Sequence, residues 1–341
     1  MTHILQAMAG APHGGAEAFF ERLAIALHHA GETQKLVIRR EAERAVRLRA
    51  AGLDVDEVAF GRVFDFLTTR RLAAIIRDFQ PRVVLSWMSR ATIYCPRGDF
   101  VHVARLGGYY DLRYYKHCHH LIGNTRALTE WMVKEGWAAD RVHYLPNFAD
   151  AAPLPPLPRP SLDTPEDAPL AVALGRLHPN KGFDVLLDAV AKVPRLYLWL
   201  AGEGPLRGAL QRQASSLGIK DRVRFLGWRQ DVGALLAAAD MLVCSSRREP
   251  LGNTIIEAWA AGKPVVACAA AGPVELIEND KTGLLVPCDN AGALAEAMHG
   301  LAQNKPRARA LGDAGRAAFA AQFSEERVVA RYRDFLATVT R

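Results

Sequence analysis

Two carboxylates eight positions apart, Glu249 and Glu257, bracket a turn in the run Arg248-Glu249-Pro250-Leu251-Gly252-Asn253-Thr254-Ile255-Ile256-Glu257. A helix that starts near Asn253 turns backbone N–H groups and the positive end of its dipole outward, which makes an anion site. Glu249 then lies just outside that end and Glu257 about one turn inside. Two carboxylates beside a bound phosphate repel it unless the ligand places hydroxyl donors between them, as the ribose and hexose of a nucleoside diphosphate sugar do. A plain helix preceded by an acidic cap is the competing reading of the same residues.

Cations that suit such a ligand occur upstream. The strand-like run Ala171–Leu174 ends in Gly175-Arg176-Leu177-His178-Pro179-Asn180-Lys181-Gly182-Phe183, which puts Arg176 and Lys181 five residues apart at a strand's carboxyl end. Arginine makes forked contacts to phosphate oxygens and lysine gives a compact charge, a combination fitted to a diphosphate leaving group. A solvated basic turn, or a helix start at Asn180-Lys181-Gly182, explains the segment equally simply.

Glycine turns complete the set. Ala9-Gly10-Ala11-Pro12-His13-Gly14-Gly15-Ala16-Glu17 joins a first strand to a helix, and Gly14 and Gly15 allow close backbone approach to a ligand. Its spacing is not that of the dinucleotide fingerprint. Ala201-Gly202-Glu203-Gly204-Pro205-Leu206 is a strand-to-helix turn in which Gly202 could admit a nucleotide, and Gly208 falls one position too late for a nicotinamide site. Gly227-Trp228-Arg229-Gln230-Asp231 follows another strand and could border a base; a core or loop role for Trp228 competes.

Two segments imitate metal sites. In Lys116-His117-Cys118-His119-His120, adjacent residues diverge on a helix or strand and cannot all converge on one ion. Asp54-Val55-Asp56 copies the Asp-x-Asp signature of another sugar-transferase class, but the alternation in Leu53–Val58 reads as the outward face of a short strand. No metal site is expected.

The elements that must position these residues alternate. Strand candidates in the first half are His3–Met8, Lys35–Ile38, Val83–Trp87, Val101–Arg105, Leu121–Asn124 and Val142–Leu145. The second half offers Leu170–Leu174, Tyr197–Ala201, Val223–Leu226, Met241–Cys244, Pro264–Cys268 and Gly283–Val286. Helical stretches such as Ala16–Ala30, Phe183–Ala191, Leu206–Leu217, Val232–Ala239 and Ala291–Ala302 lie between them, so the pattern predicts α/β domains with doubly wound parallel sheets. Seven prolines between Ala149 and Pro169 exclude both helix and central strand there. The expected division is residues 1–150, a semi-extended linker at 151–169 and a second domain at 170–324, with the last helical stretch, 325–341, crossing back to the first domain.

The 341 residues suit two or three domains, and half of them are apolar, enough for full cores. A formal charge of +7, with Arg39, Arg40, Arg44, Arg47, Arg49, Arg70 and Arg71 in the first half, favours acidic partners without choosing among sugar nucleotides, nucleic acid and anionic lipid. Five widely spaced cysteines without a Cys-x-x-Cys pair argue against a disulfide framework and fit a reducing cytoplasm. Neither a signal segment nor an apolar run approaching ~18 residues is visible, so the expectation is a cytoplasmic protein that does not span a membrane.

The glycine loop, Arg176 with Lys181, the Gly202–Gly204 turn and the Glu249/Glu257 pair occur in the order and spacing of retaining glycosyltransferase family 4, which the chain resembles over nearly its whole length. Glu249 through Glu257 and on to Gly262-Lys263-Pro264-Val265-Val266, then Gly272-Pro273-Val274-Glu275 and Gly283-Leu284-Leu285-Val286, look like that family's donor-site signature. The resemblance implies a GT-B fold: two Rossmann-like domains facing across a cleft, the C-terminal one holding a UDP- or GDP-linked sugar and the N-terminal one a glycan or glycolipid acceptor. It assigns Gly14 and Gly15 to the diphosphate, Arg176 and Lys181 to its neutralisation, and the backbone at Gly252, Asn253 and Thr254 to capping it. Glu249 then contacts the transferred sugar and Glu257 the ribose, with Gly202 and Arg229 beside the nucleotide. Retention of anomeric configuration, no metal cofactor and no nucleic-acid partner follow from the same likeness.

One departure stands out. Many members carry a histidine just after the strand corresponding to Val101–Arg105, whereas Leu106-Gly107-Gly108-Tyr109-Tyr110-Asp111 has none, leaving Tyr109 or Asp111 as weak substitutes on the acceptor side. His102 lies inside that strand and reads as structural. The N-terminal half is similar to transferases that build lipopolysaccharide or other surface glycans, which suits arginines at an anionic, inner membrane face. An epimerase or hydrolase of sugar nucleotides on the same fold, and a non-enzymatic sugar-nucleotide-binding protein, are the alternatives.

Overall fold

In the computed structural model, which describes residues 3–12, 14–61, 65–150, 152 and 154–340, the chain folds into two units. His13 of the glycine loop, and Ala151 and Pro153 of the proline-rich segment, lie outside the described residues. Residues 1–148 with 325–341 form the first unit and residues 149–324 the second.

The first unit is built on seven parallel strands: β1 (His3–Met8), β2 (Thr33–Arg39), β3 (Asp54–Val58), β4 (Val83–Trp87), β5 (Val101–Leu106), β6 (His120–Gly123) and β7 (Val142–Tyr144). Their order is β3-β2-β1-β4-β5-β6-β7. Strict alternation places Ile4 and Met8 in one core and Leu5 and Ala7 in another, one on each face of the sheet. That two-sided burial is why these strands read as apolar runs. The helix Gly15–His29 covers one face with Phe19, Phe20 and Leu23, joined there by Val328, Tyr332, Phe335 and Leu336 of the last helix, Glu325–Val339. Arg105, buried at the end of β5, lies 4.7 Å from both the Phe19 and Trp87 ring centroids, and its Nε donates to the Tyr332 hydroxyl at 2.7 Å. A charge inside the core is tolerated because both its faces and its donors are occupied.

The second unit repeats the plan with β8 (Leu170–Leu174), β9 (Tyr197–Ala201), β10 (Val223–Gly227), β11 (Met241–Cys244), β12 (Val265–Cys268) and β13 (Leu284–Val286) in the order β10-β9-β8-β11-β12-β13. All pairings are parallel, with Ala171 and Ala173 facing one core and Leu170 and Val172 the other. The doubly wound, parallel-sheet architecture expected from the sequence is the observed one. The proline-rich segment packs against this unit: the Leu157 N–H donates to the Ala234 carbonyl at 3.2 Å, and the Thr164 hydroxyl accepts from Trp199 Nε1 at 2.9 Å. Among its described residues the one regular piece is a short 3-10 turn, Arg159–Leu162, with Pro160 near its start, the kind of helix that a dense run of prolines still permits.

Each sheet has one point where the chain reverses its winding, between β1 and β4 in the first unit and between β8 and β11 in the second. In open α/β sheets the crevice beyond the carboxyl ends of those two strands is where ligands bind. The backbones leaving the second crevice crowd one another. Gly202 sits at φ 148°, and a Cβ there would fall 1.8 Å from the Gly175 carbonyl oxygen; one at Gly204 would fall 2.5 Å from that of Leu177. We expect Gly202→Ala to lower stability by roughly 2 kcal/mol or more, because a fixed backbone atom must move. Gly300→Ala, on a helix with open space around it, should be neutral or gain up to about 1 kcal/mol. Urea midpoints of the two variants measure the difference, and equal values would refute the crowding explanation.

Candidate functional site

The loops after β8 and β11 are tied together at the second switch point. Leaving β8, the chain passes the buried Leu177, makes a 3-10 turn at Pro179–Lys181 and enters the helix Phe183–Lys192 through Gly182, whose φ of 61° is left-handed. Leaving β11, it runs through the buried Ser245 and Ser246 to Glu249. The Asn180 carbonyl accepts from the Arg247 and Arg248 N–H groups at 2.8 and 3.1 Å, and Ser245 Oγ donates to the Lys181 carbonyl at 2.8 Å. Gly182 must be glycine here, since a Cβ would stand 2.2 Å from the Ser245 carbonyl oxygen.

This clamp delivers two predicted site residues to each other. Lys181 Nζ lies 2.5 Å from Glu249 Oε2, and the same oxygen accepts from Ser246 Oγ at 3.1 Å. The side chains are only 24% and 11% exposed. Burial works against the Lys181 charge, yet the Glu249 carboxylate outweighs it and holds the ammonium above its ordinary value. Arg176 stands on the same loop, exposed, with no hydrogen bond or ion pair to any described residue.

Arg247 secures the clamp from outside. Its guanidinium reaches Asp184 Oδ1 and Oδ2 at 2.7 and 2.6 Å, Asp289 Oδ1 at 2.5 Å and the Pro179 carbonyl at 3.0 Å. Hydrogen bonding to Asp184 and then Asp289 raises the Arg247 pKa further, and Arg247 in turn holds the Asp184 carboxyl below its usual range. Sequence reading missed this residue; its place directly after the Ser245-Ser246 strand end was the available signal.

The helix beyond Glu249 begins at Asn253 and runs to Ala260, capped by Gly252 at φ 95°. Its positive end therefore sits four residues past Glu249, with Thr254 in the first turn and Glu257, half-buried, one turn inside. Gly272 holds the turn down, donating its N–H to the Glu249 carbonyl at 2.8 Å. Gly202 and Arg229, expected beside the nucleotide, both have protein partners in this structure. The backbone at Gly202 is engaged by neighbouring strand ends, its N–H bonded to the Gly227 carbonyl at 2.7 Å, and Arg229 is ion-paired with Asp231 at 2.5 Å. Trp228, between them, is half exposed.

In the first unit, Gly15 opens the helix Gly15–His29, and the space beside Gly10 and Gly14 is taken by the Glu17 carboxylate, which accepts from the Ala11 N–H at 2.8 Å. Buried Arg44 fastens this loop through the Ala11 and Pro12 carbonyls, both at 2.9 Å. Beyond the carboxyl ends of β1, β2 and β4 lies a pocket of about 270 Å³ lined by Arg39, Trp87, Ser89, Arg90, Tyr110 and Glu17, among others. Tyr109 and Asp111, the acceptor-side candidates, do not line it. Tyr109 packs edge-on against Trp131, and Asp111 is bound to Arg113, whose hydrogen bonds keep that carboxyl below its usual range. The intervening Tyr110 does line it, its hydroxyl pKa raised by burial and then by Glu17.

Residues 168–304 match the family described as glycosyl transferases group 1. A lipopolysaccharide core biosynthesis glycosyltransferase of Rhizobium meliloti, LpsD, is 36% identical over 94% of this chain and 94% of its own. The chain belongs to the group 1 glycosyltransferases. A second Rhizobium meliloti core glycosyltransferase, LpsE, is 36% identical over 95% of this chain and 96% of its own. The solved structure of Anabaena HepE in complex with UDP and glucose superposes with a TM-score of 0.85 at 21% identity, over 99% of this chain and 100% of that one, and so shares the GT-B fold.

The imitation metal sites of this glycosyltransferase are spoken for. Asp54 and Asp56 both bind Lys35, each at 2.8 Å. His117 takes a hydrogen bond from Arg97, His119 from the His102 N–H, and His120 pairs with His143, so the run diverges. Among the described residues, no three His, Cys, Asp or Glu side chains could hold a metal ion. His102 is buried against Ser86 Oγ at 2.9 Å, and its pKa is lowered to about 4 by burial, with His119 and His117 adding to it.

Asp184 supplies a test of the clamp. Its pKa is depressed in the folded state, so its contribution to stability is present above the unfolded value of about 3.9 and disappears as pH falls through the folded value. Asp184→Asn should therefore lower the melting temperature at pH 7, and the gap to wild type should narrow as the pH falls below the unfolded value of about 3.9. A gap that stays constant over that range would remove the ion pair from the stability of the site.

Proposed function

We propose that this glycosyltransferase moves a hexose-type sugar from a UDP- or GDP-linked donor to a glycan or glycolipid acceptor, with retention of configuration, in the assembly of lipopolysaccharide core or a related surface glycan. The observation that carries the reading is the buried Lys181–Glu249 pair at the switch-point crevice, next to an unpartnered Arg176 and the helix start at Asn253. The Rhizobium meliloti relatives, both lipopolysaccharide core glycosyltransferases, support the pathway, and the UDP and glucose bound in the Anabaena structure support a nucleotide-sugar donor.

Cleaving the anomeric bond builds negative charge on the departing diphosphate. Lys181, Arg176 and the backbone at Gly252, Asn253 and Thr254 are fixed cations and dipoles at that place, so they favour the transition state over the ground state and take the part that a metal plays elsewhere. Lys181 leaves Glu249 for the diphosphate as the donor binds. The released carboxylate then accepts from hydroxyls of the transferred sugar, while Glu257 accepts from the ribose. The acceptor hydroxyl attacks from the face that the leaving group vacates, which preserves the configuration. Among the described residues no helix is long and apolar enough to cross a membrane, and we place the reaction at the inner, anionic face of the cell membrane.

A panel of UDP- and GDP-sugars, read first by thermal shift and then by acceptor-dependent nucleotide release, tests the assignment. At least one sugar nucleotide should stabilise the protein and turn over with retention; stabilisation by none would refute the donor site. Lys181→Ala, assayed well below its unfolding temperature, should lower kcat by about 10²-fold, and unchanged turnover would remove Lys181 from leaving-group chemistry.

A further inference from the structure

The first unit's switch-point pocket has its own chemistry, built around Arg39 and Arg90. Arg39 is the last residue of β2, and Arg90 lies in the first turn of the helix Met88–Tyr94 that follows β4. Both line the pocket, and neither has a hydrogen bond or ion pair to any described residue, although Arg90 is half-buried. Other arginines of the unit are spent on acids, such as Arg44 and Arg47 on Glu21 and Arg49 on Glu57. The pocket's single carboxylate, Glu17, faces the glycine loop and is engaged by the Ala11 N–H. The pocket therefore carries excess positive charge at the position where an open α/β sheet binds its ligand.

Two further features shape the ligand. Tyr110, half-buried, gives the pocket its aromatic surface, whereas Trp87 is buried at the pocket's base with its Nε1 donated to Gln6 Oε1 at 2.9 Å and its ring under Arg105. Met88 adopts φ 58°, a left-handed conformation uncommon outside glycine, at the bend that carries Ser89 and Arg90 into the pocket. Aromatic surface suits a sugar ring, Ser89 a hydroxyl, and two guanidinium forks a phosphate or carboxylate.

We infer that the acceptor is an anionic sugar, bearing a phosphate or a carboxylate, and that Arg39 and Arg90 recognise that group in the first unit's switch-point pocket. The inference rests on the glycosyltransferase reading and gives its acceptor a chemical class.

Calorimetric titration of the full chain, with UDP (or GDP, where wild type binds that instead) held saturating so that Lys181 and Arg176 are occupied, separates the possibilities. The probes are glucose 6-phosphate, glucuronate and glucose. At least one anionic sugar should bind saturably where glucose does not, and the two anionic arms tell phosphate from carboxylate. In Arg39→Gln/Arg90→Gln that affinity should fall about tenfold or more while UDP affinity stays within about twofold. Circular dichroism confirms that the variant is folded, and Arg39→Lys/Arg90→Lys should recover part of the loss. Absence of saturable binding by either anionic sugar, equal binding of glucose, or undiminished binding in the folded double variant would each overturn the inference. A parallel loss of UDP affinity would also overturn it, because the arginines would then serve the donor. Failure of both UDP and GDP to bind wild type would instead refute the donor reading.

Discussion

One ion pair organises the second unit: Lys181 Nζ on Glu249 Oε2 at 2.5 Å, joining the loops that leave two neighbouring parallel strands. A pair this buried adds little net stability, since removing both charges from water offsets most of their attraction. Its effect is positional. To hold an ammonium and a carboxylate there, the protein ties both loops through Asn180, brings Gly182 against the Ser245 carbonyl and braces the join with Arg247 between Asp184 and Asp289. The surrounding backbone follows the same requirement, because loops so close leave room only for glycine at Gly202, Gly204 and Gly272.

The two units use their equivalent crevices for different chemistry. At β8/β11 cations alternate with a carboxylate and a helix start, an arrangement that can exchange one partner for another as a ligand arrives. At β1/β4 the carboxylate is locked against its own loop and two arginines have no acid partner among the described residues. Parallel winding puts both sets at strand ends, so the fold supplies the location and a few loop residues supply the function.

The fold was legible from the sequence because strands buried on both faces appear as short apolar runs, and His3–Met8, Val83–Trp87, Leu170–Leu174, Tyr197–Ala201 and Met241–Cys244 form over the residues expected. The helix start at Asn253 was legible through Gly252 and the preceding proline. Which groups face each other was not. Spacing along the chain cannot show that Lys181 meets Glu249 across 68 positions, or that Arg229 is satisfied by Asp231 two residues away. Side-chain direction on the acceptor side was hidden for a related reason. Tyr109 and Asp111 follow β5 in sequence, but local partners, Trp131 and Arg113, draw them aside and leave Tyr110 in the pocket.

On this reading Glu249 keeps Lys181 poised and gives it up to the donor's diphosphate. Binding of free UDP, or of GDP in its place throughout where wild type binds that instead, to wild type and to Glu249→Gln decides the point, because the free nucleotide has no sugar to replace the lost carboxylate. If the ammonium must leave Glu249 to reach the diphosphate, UDP binds the variant more tightly than wild type, while the complete nucleotide sugar loses affinity relative to UDP. UDP affinity that is unchanged or weaker in Glu249→Gln would contradict the claim and leave the pair a structural tie between two loops.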